Sequence, residues 1–152
     1  MKTLACMTIG YFIGTINPAF LFSKMKGFDV RERGSGNAGA TNAFLTIGKI
    51  CGMLCALLDI LKAFLAFKIC KILFPAVQYA GILAGSVCVL GHIFPVWMGF
   101  RGGKGLACLG GLVLAYNWKL FCVMLVLEVV LTLMVNYICF MAMSTSILFT
   151  AA

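Results

Sequence analysis

A polar, glycine-rich stretch at residues 33–42 carries the residue types that best suit the binding of an oxyanion. Its glycines and polar side chains are Gly34, Ser35, Gly36, Asn37, Gly39, Thr41 and Asn42. Glycine lets a backbone come close to a ligand and adopts positive φ readily, so the backbone amides can form a concave site for phosphate. Arg31, Arg33 and Lys49 bracket the stretch with positive charge, and the start of the following helix adds the positive end of its dipole.

The glycine spacing also fits the dinucleotide-binding fingerprint, because Gly34, Gly36 and Gly39 stand at its positions and Asp59 follows downstream. That fingerprint requires a strand before the glycines. Residues 28–33 are charged instead, and Asp59 lies within a long apolar run, so we reject a nucleotide site. The alternative to an anion site is then a flexible polar loop without a ligand.

A second stretch, residues 91–105, repeats this combination of glycines and cations. Its residues of chemical interest are His92, Arg101, Gly102, Gly103 and Lys104. It is not a P-loop, because Met98 stands where a glycine is required and Gly105 stands where a serine or threonine is required. Arg101 and Lys104 still provide cations beside a backbone that can approach closely, which again favours phosphate.

The composition indicates an integral membrane protein. Of 152 residues, 63% are hydrophobic and 11% are charged, and the mean hydropathy is +1.10, far above that of an ordinary soluble domain. Twelve Lys and Arg against four Asp and Glu give a net charge of +8. These charges are scattered between apolar runs, so we expect membrane lipids and phosphorylated substrates as partners and no nucleic acid. The single histidine excludes a multi-histidine metal site, and the cysteines lack the spacing of a complete zinc site.

The apolar runs predict an all-α bundle of about five to six transmembrane helices, forming one domain over residues 1–152. The predicted spans are Leu4–Phe22, about Ile47–Phe67, about Val77–Trp97, about Leu106–Tyr116, and the stretch Leu120–Ala152, divided near Asn136. Pro18 predicts a kink in the first span. Glycines four residues apart, at Gly10 and Gly14 and at Gly81 and Gly85, predict faces for close helix packing.

Charged residues predict the orientation of the spans and mark one polar position inside them. Lys and Arg are concentrated on the side of the two glycine-rich loops, and the basic residues on the opposite side are Lys2, Lys68, Lys71 and Lys119. The positive-inside rule therefore places both loops at the cytoplasmic face, where they can meet. Asp59 and Lys62 lie three residues apart on the second span and can neutralise each other, either as a polar site or as a structural pair.

Taken together, these stretches resemble the bacterial acyl-phosphate:glycerol-3-phosphate acyltransferase family, PlsY. Residues 34–42, with the sequence GSGNAGATN, look like the first motif of the family. Gly91-His92-x-x-Pro95, followed by FRGGKG at residues 100–105, looks like the second. Asp59-x-x-Lys62 on the helix between them is also similar to the family, and the resemblance extends to about residue 115.

The resemblance implies a multi-pass enzyme of the bacterial plasma membrane with no metal and no other cofactor. It would transfer a fatty acyl group from acyl phosphate to the 1-hydroxyl of glycerol 3-phosphate and give lysophosphatidic acid for phospholipid synthesis. The implied catalytic residues are Ser35, His92 and Lys104, with Ser35 on one substrate phosphate, Lys104 on the other and His92 in the polar shell. The implied substrate-binding residues are Gly34, Gly36, Asn37, Gly39, Thr41, Asn42, Arg101, Gly102 and Gly103.

Three departures from the family pattern leave an alternative open. Leu45 stands where the family usually has an arginine, and an arginine would be a bidentate phosphate ligand. The family's basic, serine-containing segment is lost near Tyr137, and its third motif, which contains Arg-His and Asn, is not found before Ala152. The alternative is a catalytically impaired paralogue that binds phosphate or lipid, or that acts as a membrane scaffold through its small-residue faces.

Overall fold

The computed structural model describes residues 1–135, with side chains described through residue 130. The helices are α1 (Lys2–Thr15), α2 (Pro18–Met25), α3 (Ala40–Thr46), α4 (Lys49–Leu73), α5 (Ala80–Ile93), α6 (Leu106–Tyr116) and α7 (Trp118–Val135). Short 3₁₀ turns occupy Val30–Glu32 and Val96–Met98. The predicted all-α class is confirmed, and no strand occurs within these 135 residues. The predicted division near Asn136 lies outside the described residues.

Three helical segments are long and apolar enough to cross a membrane among the described residues. They are Lys2–Met25, Lys49–Leu73 and Ala80–Met98, which confirms the first three predicted spans. The fourth, α6, has the predicted bounds but only 11 residues. At 1.5 Å per residue it reaches about 17 Å, well short of the roughly 30 Å hydrocarbon core of a bilayer. Asn117, with an extended backbone, then separates α6 from α7.

The first span is broken where Pro18 was expected to kink it. The first helix ends at Thr15, and Pro18 opens α2, where its missing N–H costs nothing. Asn17 caps α2, because its Oδ1 accepts a hydrogen bond from the Phe20 N–H at 2.9 Å. Its Nδ2 donates to the Ala38 carbonyl at 2.9 Å. The break therefore connects the first span to the first glycine-rich loop.

Small residues let α1 and α5 pack with their backbones in contact. Gly10 lies against Ala84, and Gly14 lies against Cys88, so closely that a Cβ at either glycine would overlap the α5 backbone. Gly91, near the end of α5, packs in the same way against the backbone of α1. The predicted close-packing face is confirmed, and its partner is another helix of the same chain.

The second pair of spaced glycines is also used inside the bundle. Gly81 lies against Phe67 on α4, and Gly85 lies against Leu112 on α6. The scaffold alternative requires these small-residue faces to be available to a partner protein. It is wrong on this point, because helices of the chain itself already cover both faces.

We predict that Gly14→Ala lowers the stability of the protein. The added methyl group would overlap the Cys88 backbone, and overpacking of this kind costs about 1–3 kcal/mol. Gly110→Ala is the matched control, because a Cβ there would meet Phe121 at an ordinary 3.5 Å, and alanine favours a helix by up to about 1 kcal/mol. Thermal unfolding of both variants in one detergent measures the difference. Equal stability of the two variants would contradict the packing.

Candidate functional site

The first glycine-rich loop is held in shape by the side chain of Asn42. Its Oδ1 accepts a hydrogen bond from the Ser35 N–H at 3.0 Å. Its Nδ2 donates to the carbonyl oxygens of Val30 at 2.9 Å and Arg33 at 3.0 Å. Asn42 is 1% exposed, so both ends of its amide are occupied by the loop backbone. The sequence predicted substrate binding for this residue, whereas its position indicates that it shapes the loop.

Two glycines give the first loop its tight curvature. Gly34 has φ of 59° and Gly36 has φ of 72°, a region that other residues adopt at a cost. A Cβ at Gly34 would also overlap the Asn42 side chain. Ser35, between these glycines, is exposed, so the loop presents its hydroxyl group at the surface.

The remaining predicted residues of this loop differ in exposure. Thr41 is exposed, near the start of α3, while Asn37 is half-buried. The Asn37 side-chain amide lies so close to Gly39 that a Cβ there would come within 2.7 Å of it. Arg33 stacks over the Phe28 ring, with its guanidinium carbon 3.9 Å from the ring centre, which anchors a cation at the edge of the loop.

The second glycine-rich loop folds back onto the end of α5. The Gly102 N–H donates to the Ile93 carbonyl at 3.0 Å, and the Gly103 N–H donates to the His92 carbonyl at 3.1 Å. A Cβ at Gly102 would overlap the His92 carbonyl oxygen, so glycine is required for this approach. Arg101 and Lys104, on either side of these glycines, are exposed.

The second loop contains a strained position at its tip. Phe100 has φ of 59° and is the non-glycine residue with positive φ in the described part of the chain. Bulky residues rarely adopt this conformation. It directly follows Gly99, whose φ is 63°. Such strain is typical of functional loops that the surrounding structure holds in place.

The two loops contact each other, as the predicted topology allows. The Ala38 N–H donates a hydrogen bond to the Gly102 carbonyl, with 3.4 Å between the nitrogen and the oxygen. Arg31, ahead of the first loop, donates from Nη1 to the Met98 carbonyl of the second loop at 2.6 Å. The Asn17 side-chain amide donates to the Ala38 carbonyl from the break between α1 and α2. Two stretches about 65 residues apart in the chain therefore form one continuous surface.

Asp29 holds Arg31 in the orientation that reaches the second loop. Its Oδ1 accepts from Arg31 Nε at 3.0 Å, and its Oδ2 accepts from Nη2 at 2.8 Å. Lys24 Nζ lies 3.3 Å from Oδ2. The Arg31 hydrogen bonds outweigh burial and hold the pKa of Asp29 well below its usual range, and the same contact raises the pKa of Arg31. The sequence places Arg31 among the cations that bracket the first loop, whereas in the structure it joins the two loops. The Asp-x-Arg spacing is the sequence signal for its pair with Asp29.

His92 lies beneath the second loop rather than at its surface. It is 3% exposed, and a Cβ at Gly103 would overlap its Nε2. Its Nδ1 is 2.8 Å from Lys62 Nζ and 3.3 Å from Asp59 Oδ1. The ion pair between Asp59 and Lys62 is confirmed at 2.8 Å. The sequence predicted this pair but not its contact with His92, which depends on how α4 and α5 pack.

Asp59, His92 and Cys108 offer ligand atoms within 4.8 Å of one another, which raises the question of a metal site. Lys62 Nζ, however, lies 2.8 Å from both the Asp59 carboxylate and the His92 ring nitrogen. A metal ion bound by the same two atoms would be placed beside the lysine ammonium group, and like charges repel strongly in a buried site. With an ammonium group beside both ligand atoms, the cluster therefore does not fit a metal ion.

The Asp29 contacts predict an acid-dependent loss of stability. Because the pKa of Asp29 is lower in the folded protein than in the unfolded chain, its contribution is complete above the ordinary carboxyl pKa of about 4 and is lost as pH falls below it. In Asp29→Asn the difference from wild type should be largest near pH 7 and shrink below about pH 4. Thermal unfolding of both proteins over this range measures it. A difference independent of pH would contradict the ion pair.

Comparison with known proteins gives a consistent result at the level of the family. The glycerol-3-phosphate acyltransferase family model matches residues 4–152. The glycerol-3-phosphate acyltransferase of Thermotoga petrophila is 40% identical over 135 residues, which cover 85% of this chain and 66% of the relative. That of Bacillus velezensis is 39% identical over 140 residues, which cover 91% of this chain and 72% of the relative. The chain thus spans about two thirds of the length of the first of these curated relatives.

Solved structures with the same fold include crystal structures of PlsY, an integral membrane glycerol 3-phosphate acyltransferase. Its glycerol 3-phosphate form superposes with a TM-score of 0.88 at 32% identity, covering 97% of this chain and 74% of that chain. Its lysophosphatidic acid form gives 0.87 at 32% identity, covering 100% and 78%. With the family model matching nearly its whole length, this membrane protein belongs to the glycerol-3-phosphate acyltransferase family.

Proposed function

We propose that the chain transfers a fatty acyl group from acyl phosphate to the 1-hydroxyl of glycerol 3-phosphate, releasing phosphate and giving lysophosphatidic acid. The observation that carries this proposal is the contact between the two glycine-rich, cationic loops at Ala38 and Gly102. A reaction between two phosphate-bearing substrates needs two neighbouring anion sites beside the membrane. Family membership and the two ligand-bound forms of PlsY support the same reaction.

Each loop supplies the groups for one substrate phosphate. Ser35 is exposed between two glycines of positive φ, so its hydroxyl and the amides near Gly36 and Asn37 hold one phosphate. Exposed Lys104 binds the other as a point charge, and Arg101 adds a second cation. Among the described residues, neither Arg101 nor Lys104 pairs with a carboxylate, which leaves both charges available to substrates.

The reaction needs positioning more than it needs a strong base. Acyl phosphate is a mixed anhydride and is already activated. The glycerol hydroxyl oxygen attacks the acyl carbon, the bond from that carbon to the phosphate oxygen breaks, and phosphate leaves with its electron pair. A substrate phosphate oxygen takes the hydroxyl proton. The loops orient both substrates and stabilise the developing negative charge, which are the main sources of catalysis in such a site.

We further propose that both loops face the cytoplasm and that residues 1–152 act as one domain. The excess of Lys and Arg on the loop side supports this orientation. The contacts of α4 with α1, α5 and α6 support a single packed unit among the described helices. Soluble glycerol 3-phosphate would then reach the loops from water, while acyl phosphate would reach them from the membrane.

The proposed activity predicts specific losses in reconstituted protein. We expect phosphate release from palmitoyl phosphate that requires glycerol 3-phosphate. Ser35→Ala and Lys104→Ala should each lower kcat/KM about 10- to 100-fold, because a hydrogen bond to a charged group is worth about 1.5–3 kcal/mol. Lys71→Ala removes the same charge from the far end of α4 and is the matched control, with activity unchanged.

Leu45→Arg extends the same assay. Leu45 is 73% exposed on α3, so an arginine fits there without disturbing the core. Because a guanidinium binds phosphate in a bidentate manner, we expect a lower KM for glycerol 3-phosphate in this variant. Folded protein that releases no phosphate, with either Leu45 or Arg at this position, would contradict the proposed function.

A further inference from the structure

The Lys62 ammonium group has three close polar neighbours. Its Nζ donates to the Ile16 carbonyl at 2.6 Å and lies 2.8 Å from His92 Nδ1 and 2.8 Å from Asp59 Oδ1. The Ile16 carbonyl is available because the break between α1 and α2 interrupts the helical hydrogen bonds there. Lys62 and Asp59 are 7% and 2% exposed, so this is a buried charge pair, which requires well-placed partners.

The contact with Lys62 determines which nitrogen of His92 carries the ring proton. An ammonium group only donates hydrogen bonds, so at 2.8 Å His92 Nδ1 must accept, and the proton lies on Nε2. Asp59 favours the opposite tautomer, since its Oδ1 could accept a hydrogen bond from an Nδ1–H group. That distance is longer, at 3.3 Å, and Oδ1 makes no contact of hydrogen-bond geometry among the described residues. The Lys62 contact therefore decides the tautomer.

The Nε2 atom faces the place where the two loops join. A Cβ at Gly103 would overlap Nε2 and would lie 3.0 Å from the Ala38 carbonyl oxygen. Gly103 stands directly before Lys104 and is hydrogen-bonded through its N–H to the His92 backbone. A proton on Nε2 thus lies against Gly103, where the two loops meet and directly before Lys104. Cys108 on α6 is the remaining ligand-type side chain at the cluster.

We propose that Lys62, paired with Asp59, is a positioning residue that fixes His92 as its Nε2–H tautomer beneath Gly103. His92 then serves the acyl transfer as a fixed hydrogen-bond donor to negative charge at the loops, and not as a general base. In this tautomer only Nδ1 has a basic lone pair, and the Lys62 ammonium group already occupies it. The use of this donor rests on the proposed function, whereas the tautomer follows from the Lys62 contact alone.

Nitrogen NMR tests the tautomer directly, because His92 is the only histidine of the sequence. Protein labelled with ring-¹⁵N histidine and reconstituted in lipid gives one pair of ring signals. We expect a protonated Nε2 and an unprotonated Nδ1 in the wild type. A proton on Nδ1, or on both nitrogens, overturns the proposal, and this result does not depend on any activity or on the folding of a variant.

Two substitutions of Lys62 separate positioning from packing. Lys62→Gln keeps an N–H donor for Nδ1 and should retain the wild-type tautomer, whereas Lys62→Met keeps the side-chain length but removes the donor and should give a mixture. Lys68→Met, on the same helix, is the control and should leave the spectrum unchanged. The same mixture in Lys62→Gln and Lys62→Met would overturn the role of the donor.

Activity then shows what the donor does. Lys62→Met should lower kcat about 10-fold or more with little change in the KM of glycerol 3-phosphate, because a donor to developing charge acts in the transition state. Lys62→Gln should recover most of this loss. Full activity in Lys62→Met with a mixed tautomer would overturn the catalytic part. A wild type without activity but with the Nε2–H tautomer would contradict the proposed function and leave the positioning by Lys62 intact.

Discussion

The close contact between the backbones of α1 and α5 is the constraint on which the rest of the structure depends. Gly10 and Gly14 bring the two helices together along their length, and Gly91 continues the contact to the end of α5. The break after α1 places Asn17 under the first loop, and the end of α5 places His92 under the second. Because the two helices touch, the break after α1 lies beside the end of α5, and the loops that these two ends support meet at Ala38 and Gly102. Membrane helices gain little from burying apolar surface against one another, so the van der Waals contacts of these closely packed backbones stabilise the bundle.

Two buried carboxylates, Asp29 and Asp59, connect elements that do not touch through close backbone packing. Asp29 orients Arg31 so that it bonds to the second loop. Asp59 neutralises Lys62, which joins the first span, α4 and α5 through Ile16 and His92. Lys24, Arg31 and Lys62 are paired with carboxylates in this way, whereas Arg101 and Lys104 are exposed.

Much of this arrangement could be predicted from the sequence because it depends on local patterns. Apolar length predicted the first three spans, Pro18 predicted a kink where the structure has a break, and the spacing of Asp59 and Lys62 predicted their ion pair. Successive spans cross the membrane in opposite directions, which places the two glycine-rich stretches on the same side. A shared surface could therefore be predicted. These features need only the period of a helix, the thickness of a bilayer and the distribution of basic residues.

The structural roles of Asn42, His92 and Arg31 could not be predicted, because they depend on contacts that the linear sequence does not show. Asn42 has the same amide group as Asn37, and only the fold shows that it binds the carbonyls of Val30 and Arg33. The contact of His92 with Lys62 joins residues on different helices. Arg31 was counted with the loop cations, although a carboxylate two residues earlier orients it toward Met98.

Hydrogen exchange tests most directly whether the two loops form one site. Amide exchange of the protein in lipid, followed by mass spectrometry with and without glycerol 3-phosphate and inorganic phosphate, reports both loops in one experiment. We predict that ligand slows exchange in residues 33–42 and in residues 99–105 together. Protection confined to one loop, or found only elsewhere in the described helices, would contradict it.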